Sequence, residues 1–201
     1  MITLYHCPYS RSNVGMYLLE ELGQPYEVAI VDVRAGDGQR PEYLAINPMG
    51  KVPAIRDGDE VVSETGAICA YLGDKYPDAK LAPPIGDPRR GAYLRWLFFT
   101  ANIDAVLVAR LLKVEAPPAS SAGYGDYDRV MGMLRGALER GGPWLLGEQF
   151  TTADVAVGAG LPWGFANGTI AQEGVFAAYG ARIEARPAYQ RAAAKWGLAN
   201  P

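Results

Sequence analysis

Three short stretches of the chain carry side chains able to do chemistry. The first, Tyr5-His6-Cys7-Pro8-Tyr9-Ser10-Arg11-Ser12, gathers two phenols, the only histidine, one of the two cysteines and two serine hydroxyls. A hydroxyl here can hold an anion by hydrogen bonding, and Cys7 can act as a redox thiol. His6 as the base of a Ser-His-Asp hydrolase, or as a metal ligand, would need partners. No nucleophile elbow or ligand cluster accompanies it, so it reads as a strand-end residue and no metal site is expected. The second stretch is Val52-Pro53. An X-Pro bond can be cis at modest cost, which would turn the Val52 N–H and C=O toward an extended peptide. The third is Ser63-Glu64-Thr65 at a helix start. There free amide N–H groups and the Thr65 hydroxyl can receive a carboxylate, and Glu64 can receive an ammonium. Taken alone, the second and third stretches also fit a plain strand start and a capped helix with an acidic first turn.

The elements that must position these residues fall into two halves. Ile2 to Tyr5 is a short β-rich run. Residues 12–22 place Val14, Tyr17, Leu18 and Leu22 on one helical face, with Gly23 as a stop. Tyr26 to Val33 reads as a strand and Arg40 to Ala45 as a short helix. Val52 to Arg56 and Glu60 to Val62 flank Asp57-Gly58 as a hairpin. Ser63 then caps a helix carrying Ile68, Cys69, Tyr71 and Leu72, with Cys69 a buried small residue. The order is β-α-β-α-β-β-α, with the first two strands parallel and the hairpin antiparallel.

The second half reads as all helical. Asp87-Pro88 opens a helix running to about Val114, and Glu115 to Gly125 is a Pro/Ser/Gly loop. Further helices span about Asp126 to Arg140, from Thr151 onward, Gln172 to Ala185 and Pro187 to Lys195. Between the halves, Tyr76 to Pro88 holds four prolines in thirteen residues and reads as a linker. The expected division is 1–77, a linker at 78–87, and 88–201. Residues 1–77 carry 6 Lys/Arg and 11 Asp/Glu, net −5, against 13 and 11, net +2, for 78–201.

The chain has 201 residues, 49% apolar and 20% charged, with a net charge of −3. That is the profile of a folded globular chain, not of a disordered one. The charge argues against a strongly basic nucleic-acid reader. Two cysteines argue against a disulfide-framed secreted module. No signal sequence and no run of 18 apolar residues is seen, so a cytoplasmic protein without a membrane anchor is expected.

Taken together and in order, the Leu4-Tyr5…Ser10 opening, Asn47 to Ile55, Ser63 to Ile68 and Phe150-Thr151-Thr152-Ala153-Asp154 resemble the cytosolic glutathione transferase family along essentially the whole chain. The resemblance implies a thioredoxin-like domain followed by a helical domain. It implies glutathione as co-substrate, bound by Lys51, Val52, Pro53, Glu64 and Thr65, and a small electrophile as its partner. It also implies a homodimer. By family position, Tyr9, Leu107, Arg110, Leu111, Trp163 and Phe165 would line the electrophile site. Asp104 would either reach a glutathione amine across a dimer or be a solvated helix charge; the second is the expectation. Thr151 and Asp154 form an S/T-x-x-D box with a folding role.

The implied chemistry needs a thiolate. A thiol of pKa near 8.5 is only about 3% ionised at pH 7, and lowering it by about two units takes about 2.7 kcal/mol. Ser10, just before the first helix, is the leading donor, with Cys7, Tyr5 and Ser12 as alternatives. Cys7-Pro8-Tyr9-Ser10 resembles a monothiol glutaredoxin motif, so a glutathione-dependent thiol transferase is a second reading. A non-catalytic interaction module of the same fold is a third, although such a module would be expected to lose Glu64-Thr65 or Val52-Pro53.

Overall fold

The computed structural model describes residues 1–114, 117–118 and 121–197. Glu115, Ala116, Ala119 and Ser120 of the expected loop lie outside the described residues. The chain first builds β1 (Ile2–His6), α1 (Asn13–Leu22), β2 (Tyr26–Ile30), α2 (Pro41–Leu44), β3 (Ala54–Asp57), β4 (Glu60–Ser63) and α3 (Thr65–Lys75). The sheet order is β2-β1-β3-β4. β1 and β2 run parallel with Ile2 opposite Tyr26, as a crossover through α1 requires. β3 lies antiparallel to β1 with Leu4 opposite Ile55, and β3–β4 is a hairpin closing from Asp57 to Glu60. Gly58 supplies the positive φ of that turn. This is a thioredoxin-like domain.

The helical domain follows as α4 (Arg90–Leu112), α5 (Tyr127–Glu139), α6 (Thr152–Gly158), α7 (Leu161–Ala166), α8 (Gly174–Glu184) and α9 (Pro187–Ala193). Pro162 sits in the first turn of α7, separating it from α6 where the sequence suggested one helix. Two end signals differ from expectation. Ser63 finishes β4 and Glu64 takes the cap position of α3. Asp87 does not cap α4. Its carboxylate instead accepts from the Arg89 backbone N–H at 2.8 Å and ion-pairs with the Arg89 guanidinium at 2.7 Å. Asp126 does cap α5, accepting from the Arg129 N–H at 2.9 Å. The α4 sequence is long and apolar enough to cross a membrane, but Tyr93, Trp96, Leu97, Ile103, Val106 and Leu107 are buried in the protein core.

Two seams join the domains. Along α3 and α4 the contact is close: a Cβ on Gly66 would lie 2.7 Å from the Leu97 carbonyl oxygen. The α6 residue Thr152 adds a buried link, donating its hydroxyl to the Cys69 carbonyl at 3.1 Å. Cys69 is buried as expected, and burial pushes its thiol up to about 12. Along α1 the contact is ionic, as the opposite charges of the halves foreshadow. Glu21 binds the Arg186 guanidinium at 2.5 and 2.7 Å. Glu20 accepts from Arg191 at 2.8 Å, Lys195 at 2.5 Å and Tyr26 at 2.7 Å. Burial pushes the Glu20 carboxyl up, but those donors outweigh it and hold it down at about 2. Asp154, buried at the start of α6, accepts from Thr151 N–H (2.9 Å), Thr151 Oγ1 (3.1 Å), Leu145 N–H (2.8 Å) and Tyr179 Oη (2.8 Å). The box therefore ties α6, α8 and the preceding loop together.

Candidate active site

The loop from Cys7 to Ser12 links the end of β1 to α1, and its hydroxyls are fixed by a histidine. His6 is fully buried at the end of β1. Its Nε2 lies 3.1 Å from the Trp196 carbonyl oxygen, which can only accept, so Nε2 carries a proton. Burial lowers the His6 pKa, favouring the neutral ring and leaving Nδ1 as an acceptor. Ser12 Oγ is 2.8 Å from that Nδ1 and 3.1 Å from the Cys7 carbonyl oxygen. Its one proton goes to this side, since a buried Nδ1 without a donor is costly. Ser12 Oγ also receives the Cys7 N–H at 3.0 Å. In the remaining contact, Ser10 Oγ to Ser12 Oγ at 2.7 Å, Ser10 is therefore the donor. The Ser10 proton points inward, and its oxygen also accepts from the Ser12 N–H at 3.2 Å.

The other thiol-site candidates are placed differently. Ser12 is fully buried behind Ser10, and Cys7 is fully buried with its Sγ 3.9 Å from Asp32 Oδ1. Tyr5 packs its ring against Tyr43, 5.7 Å between centroids. Of the four, Ser10 alone lines either cavity described next.

One cavity, about 620 Å3, lies between the start of α3 and one face of α4; Glu64, Thr65, Gly66, Leu97 and Phe98 are on its wall. Glu64 has φ 70, a backbone region that non-glycine residues rarely adopt. This turn leads straight into α3, whose first N–H groups have no partner within the helix. The Val52–Pro53 bond is cis, and Val52 lies just before the paired register of β3. Pro53 is buried, while Lys51 is exposed and uses its carbonyl to accept from Tyr43 Oη at 2.5 Å and Asn47 Nδ2 at 2.8 Å. The Asn47-to-Lys51 segment is thus clamped from the α2 side.

A second cavity, about 400 Å3 and largely apolar, lies between the Tyr9–Val14 segment, α4, α6, α7 and Trp196. Of the six residues expected at an electrophile site, Tyr9, Leu107 and Trp163 are on its wall. The other three residues lie elsewhere. Arg110 stacks on the Tyr127 ring at 4.2 Å, Leu111 is surface exposed, and the Phe165 ring packs where α7 meets Gly180 of α8. Asn13, Val14, Ala156, Pro162 and Trp196 are also on the wall and carry no sequence signal beyond that of ordinary core or helix residues. Asn13 Oδ1 and Trp196 Nε1 are buried polar atoms with no partner among the described residues.

The two cavities share four wall residues: Arg11, Thr65, Thr100 and Asp104. Arg11 Nε lies 3.0 Å from Asp104 Oδ2, and the Asp104 side chain is only 22% exposed. The expectation of a solvated helix charge at Asp104 is therefore corrected: it is a mostly buried carboxylate paired with the loop. Burial pushes its pKa up to about 6, against the pull of Arg11. Nothing in the sequence marks Arg11, which sits between two serine hydroxyls. Among the described residues, no group of three or more His, Cys, Asp or Glu side chains gathers.

Residues 4–82 match the family model of the glutathione S-transferase N-terminal domain. The chain is 31% identical to the disulfide-bond oxidoreductase YfcG of Escherichia coli K12, covering 100% of this chain and 98% of that protein. It superimposes on a crystal structure of a glutathione transferase from Methylococcus capsulatus with TM-score 0.83 and 31% identity, over 99% and 100% of the two chains. A glutathione transferase homologue from Sulfitobacter with bound glutathione matches with TM-score 0.78 and 28% identity, over 98% and 99%.

Proposed function

The chain belongs to the glutathione S-transferase family, and on that premise we propose that it is a glutathione transferase. In this reading glutathione occupies the cavity at the start of α3 and an apolar electrophile occupies its neighbour. The observation that carries the reading is the shared wall: a thiol held in one cavity reaches a carbon held in the other only where the two meet. The γ-glutamyl end of glutathione bears a carboxylate and an ammonium. The N–H groups and hydroxyl at Thr65 suit the first, and the Glu64 carboxylate suits the second. The Val52 peptide group suits the cysteinyl backbone by strand-like pairing. Bound glutathione in the Sulfitobacter homologue supports glutathione as the ligand.

Calorimetry with glutathione tests the reading directly, and saturable binding is expected. A turnover panel of aryl halide, epoxide, peroxide and mixed disulfide then identifies the electrophile class. The name of the E. coli relative favours a second, redox reading in which a mixed disulfide is the substrate. With Cys7 buried, that reaction would run on the glutathione thiol, and Cys7→Ser would leave it intact. Binding without turnover of any substrate would favour an interaction module.

A homodimer belongs to the same proposal. Phe98 is 77% exposed on α4 and borders the proposed glutathione cavity, which makes this face a suitable subunit contact. A sedimentation mass of twice 21.6 kDa is expected.

A further inference from the structure

We propose that Arg11, held by Asp104, is the group that stabilises the glutathione thiolate. The proposal rests on the glutathione reading above and names the residue that reading leaves open.

The reacting sulfur belongs where the two cavities meet, and four side chains form that junction. Thr100 is engaged, donating its hydroxyl to the Trp96 carbonyl at 3.1 Å. Thr65 offers a neutral hydroxyl at the glutathione end. Asp104 is an anion and repels a thiolate. Arg11 remains, and among the described residues it is the only cation lining either cavity. Ser10 borders only the electrophile cavity, and its proton is directed at Ser12. A guanidinium keeps its charge at every working pH and brings several N–H donors in one plane. The Arg11 side chain is 44% exposed while anchored through Nε, so it is held in place and still reachable.

The step is a simple ionisation. The S–H bond of bound glutathione breaks, its electron pair stays on sulfur, and the proton passes to solvent water. Arg11 then faces two anions, the thiolate and Asp104. Glu64 is the other charged group on the glutathione cavity wall, and Tyr9 the other titratable group on the electrophile cavity wall. Asp104 is thus a positioning residue that competes mildly with the thiolate it helps to place.

The test is the thiolate absorbance of bound glutathione as a function of pH, alongside calorimetry, in the wild type, Arg11→Gln, Arg11→Lys, Asp104→Asn and Ser10→Ala. Arg11→Gln should raise the thiol pKa by about one to three units, the usual effect of losing one adjacent opposite charge. Arg11→Lys should restore much of the shift. Asp104→Asn should move the thiol pKa downward, because it removes a competing anion; a merely structural role would not lower it. Ser10→Ala should move it less than Arg11→Gln. Glutathione binding with an unmoved titration in Arg11→Gln overturns the assignment of Arg11 while leaving the glutathione reading standing. Absence of glutathione binding by the wild type overturns both.

Discussion

The two cavities sit side by side and differ in how the groups proposed to bind their ligands are spread along the chain. At the α3 cavity the groups proposed to grip glutathione lie close together in sequence, at the positive-φ turn of Glu64 and the free N–H groups that follow it, and α4 from Leu97 to Val108 closes the opposite side. The one under α6 and α7 is lined by residues drawn from five separate parts of the chain. A backbone site recognises what all peptides share and tolerates little change. A side-chain site can be altered residue by residue while the fold stays intact, which is how one fold comes to serve many substrates.

Substitutions can break this contrast or sharpen it. The largest effect is expected at Glu64. Glu64→Ala leaves a bound ammonium without its partner and should weaken glutathione binding by about 1.5–3 kcal/mol, the range for charge-assisted hydrogen bonds. Calorimetry should record that loss with KM for the electrophile unchanged. A change confined to the electrophile would invert the assignment of the two cavities. Next comes Trp163→Ala, which strips apolar wall from the second cavity and should raise KM for an apolar electrophile by about 1–2 kcal/mol. Titration with glutathione should show the same affinity as the wild type.

Thr151→Ala is a control in the scaffold beneath the second cavity. It removes one of four donors to Asp154 and should lower stability by about 1 kcal/mol, read as a shift in denaturant midpoint, with both substrates bound as before. The smallest effect is expected at Leu111, which family position placed in the electrophile site but which is exposed one turn beyond Leu107 and outside the cavity wall. Leu111→Ala should change stability by no more than about 0.5 kcal/mol and leave KM for every electrophile in the panel unaltered. A raised KM there would mean that the electrophile cavity extends further along α4 than its wall residues show.

The same contrast explains what could be read from the sequence. Recognition of a peptide by backbone needs contiguous strings, Val52-Pro53 and Ser63-Glu64-Thr65, and strings are visible. The thioredoxin-like order of elements was visible for the same reason, since each strand and helix carries its own periodicity. The electrophile wall has no string. Val14, Ala156, Pro162 and Trp196 each look like ordinary helix or core residues, and only the packing of α6, α7 and the last helix on the first domain brings them together. Arg11 and Asp104 are 93 positions apart, and neither signals the other. Asp87 and Ser63 show the limit at helix starts: both carry capping chemistry, yet Asp87 is captured by Arg89 and Ser63 is held in β4.

His6 and Trp196 lie at nearly opposite ends of the chain, 190 residues apart, and share a hydrogen bond. That bond sets the histidine tautomer on which the Ser12 and Ser10 protons depend, and the Tyr9 N–H also reaches the Trp196 carbonyl, at 3.4 Å. During synthesis the first domain leaves the ribosome long before residue 196 does. Its sheet can form early, but the loop bearing Ser10 and Arg11 acquires its final arrangement only when the segment after α9 arrives. A chain stalled before Trp196 should therefore carry a folded sheet with an unfinished Cys7–Ser12 loop.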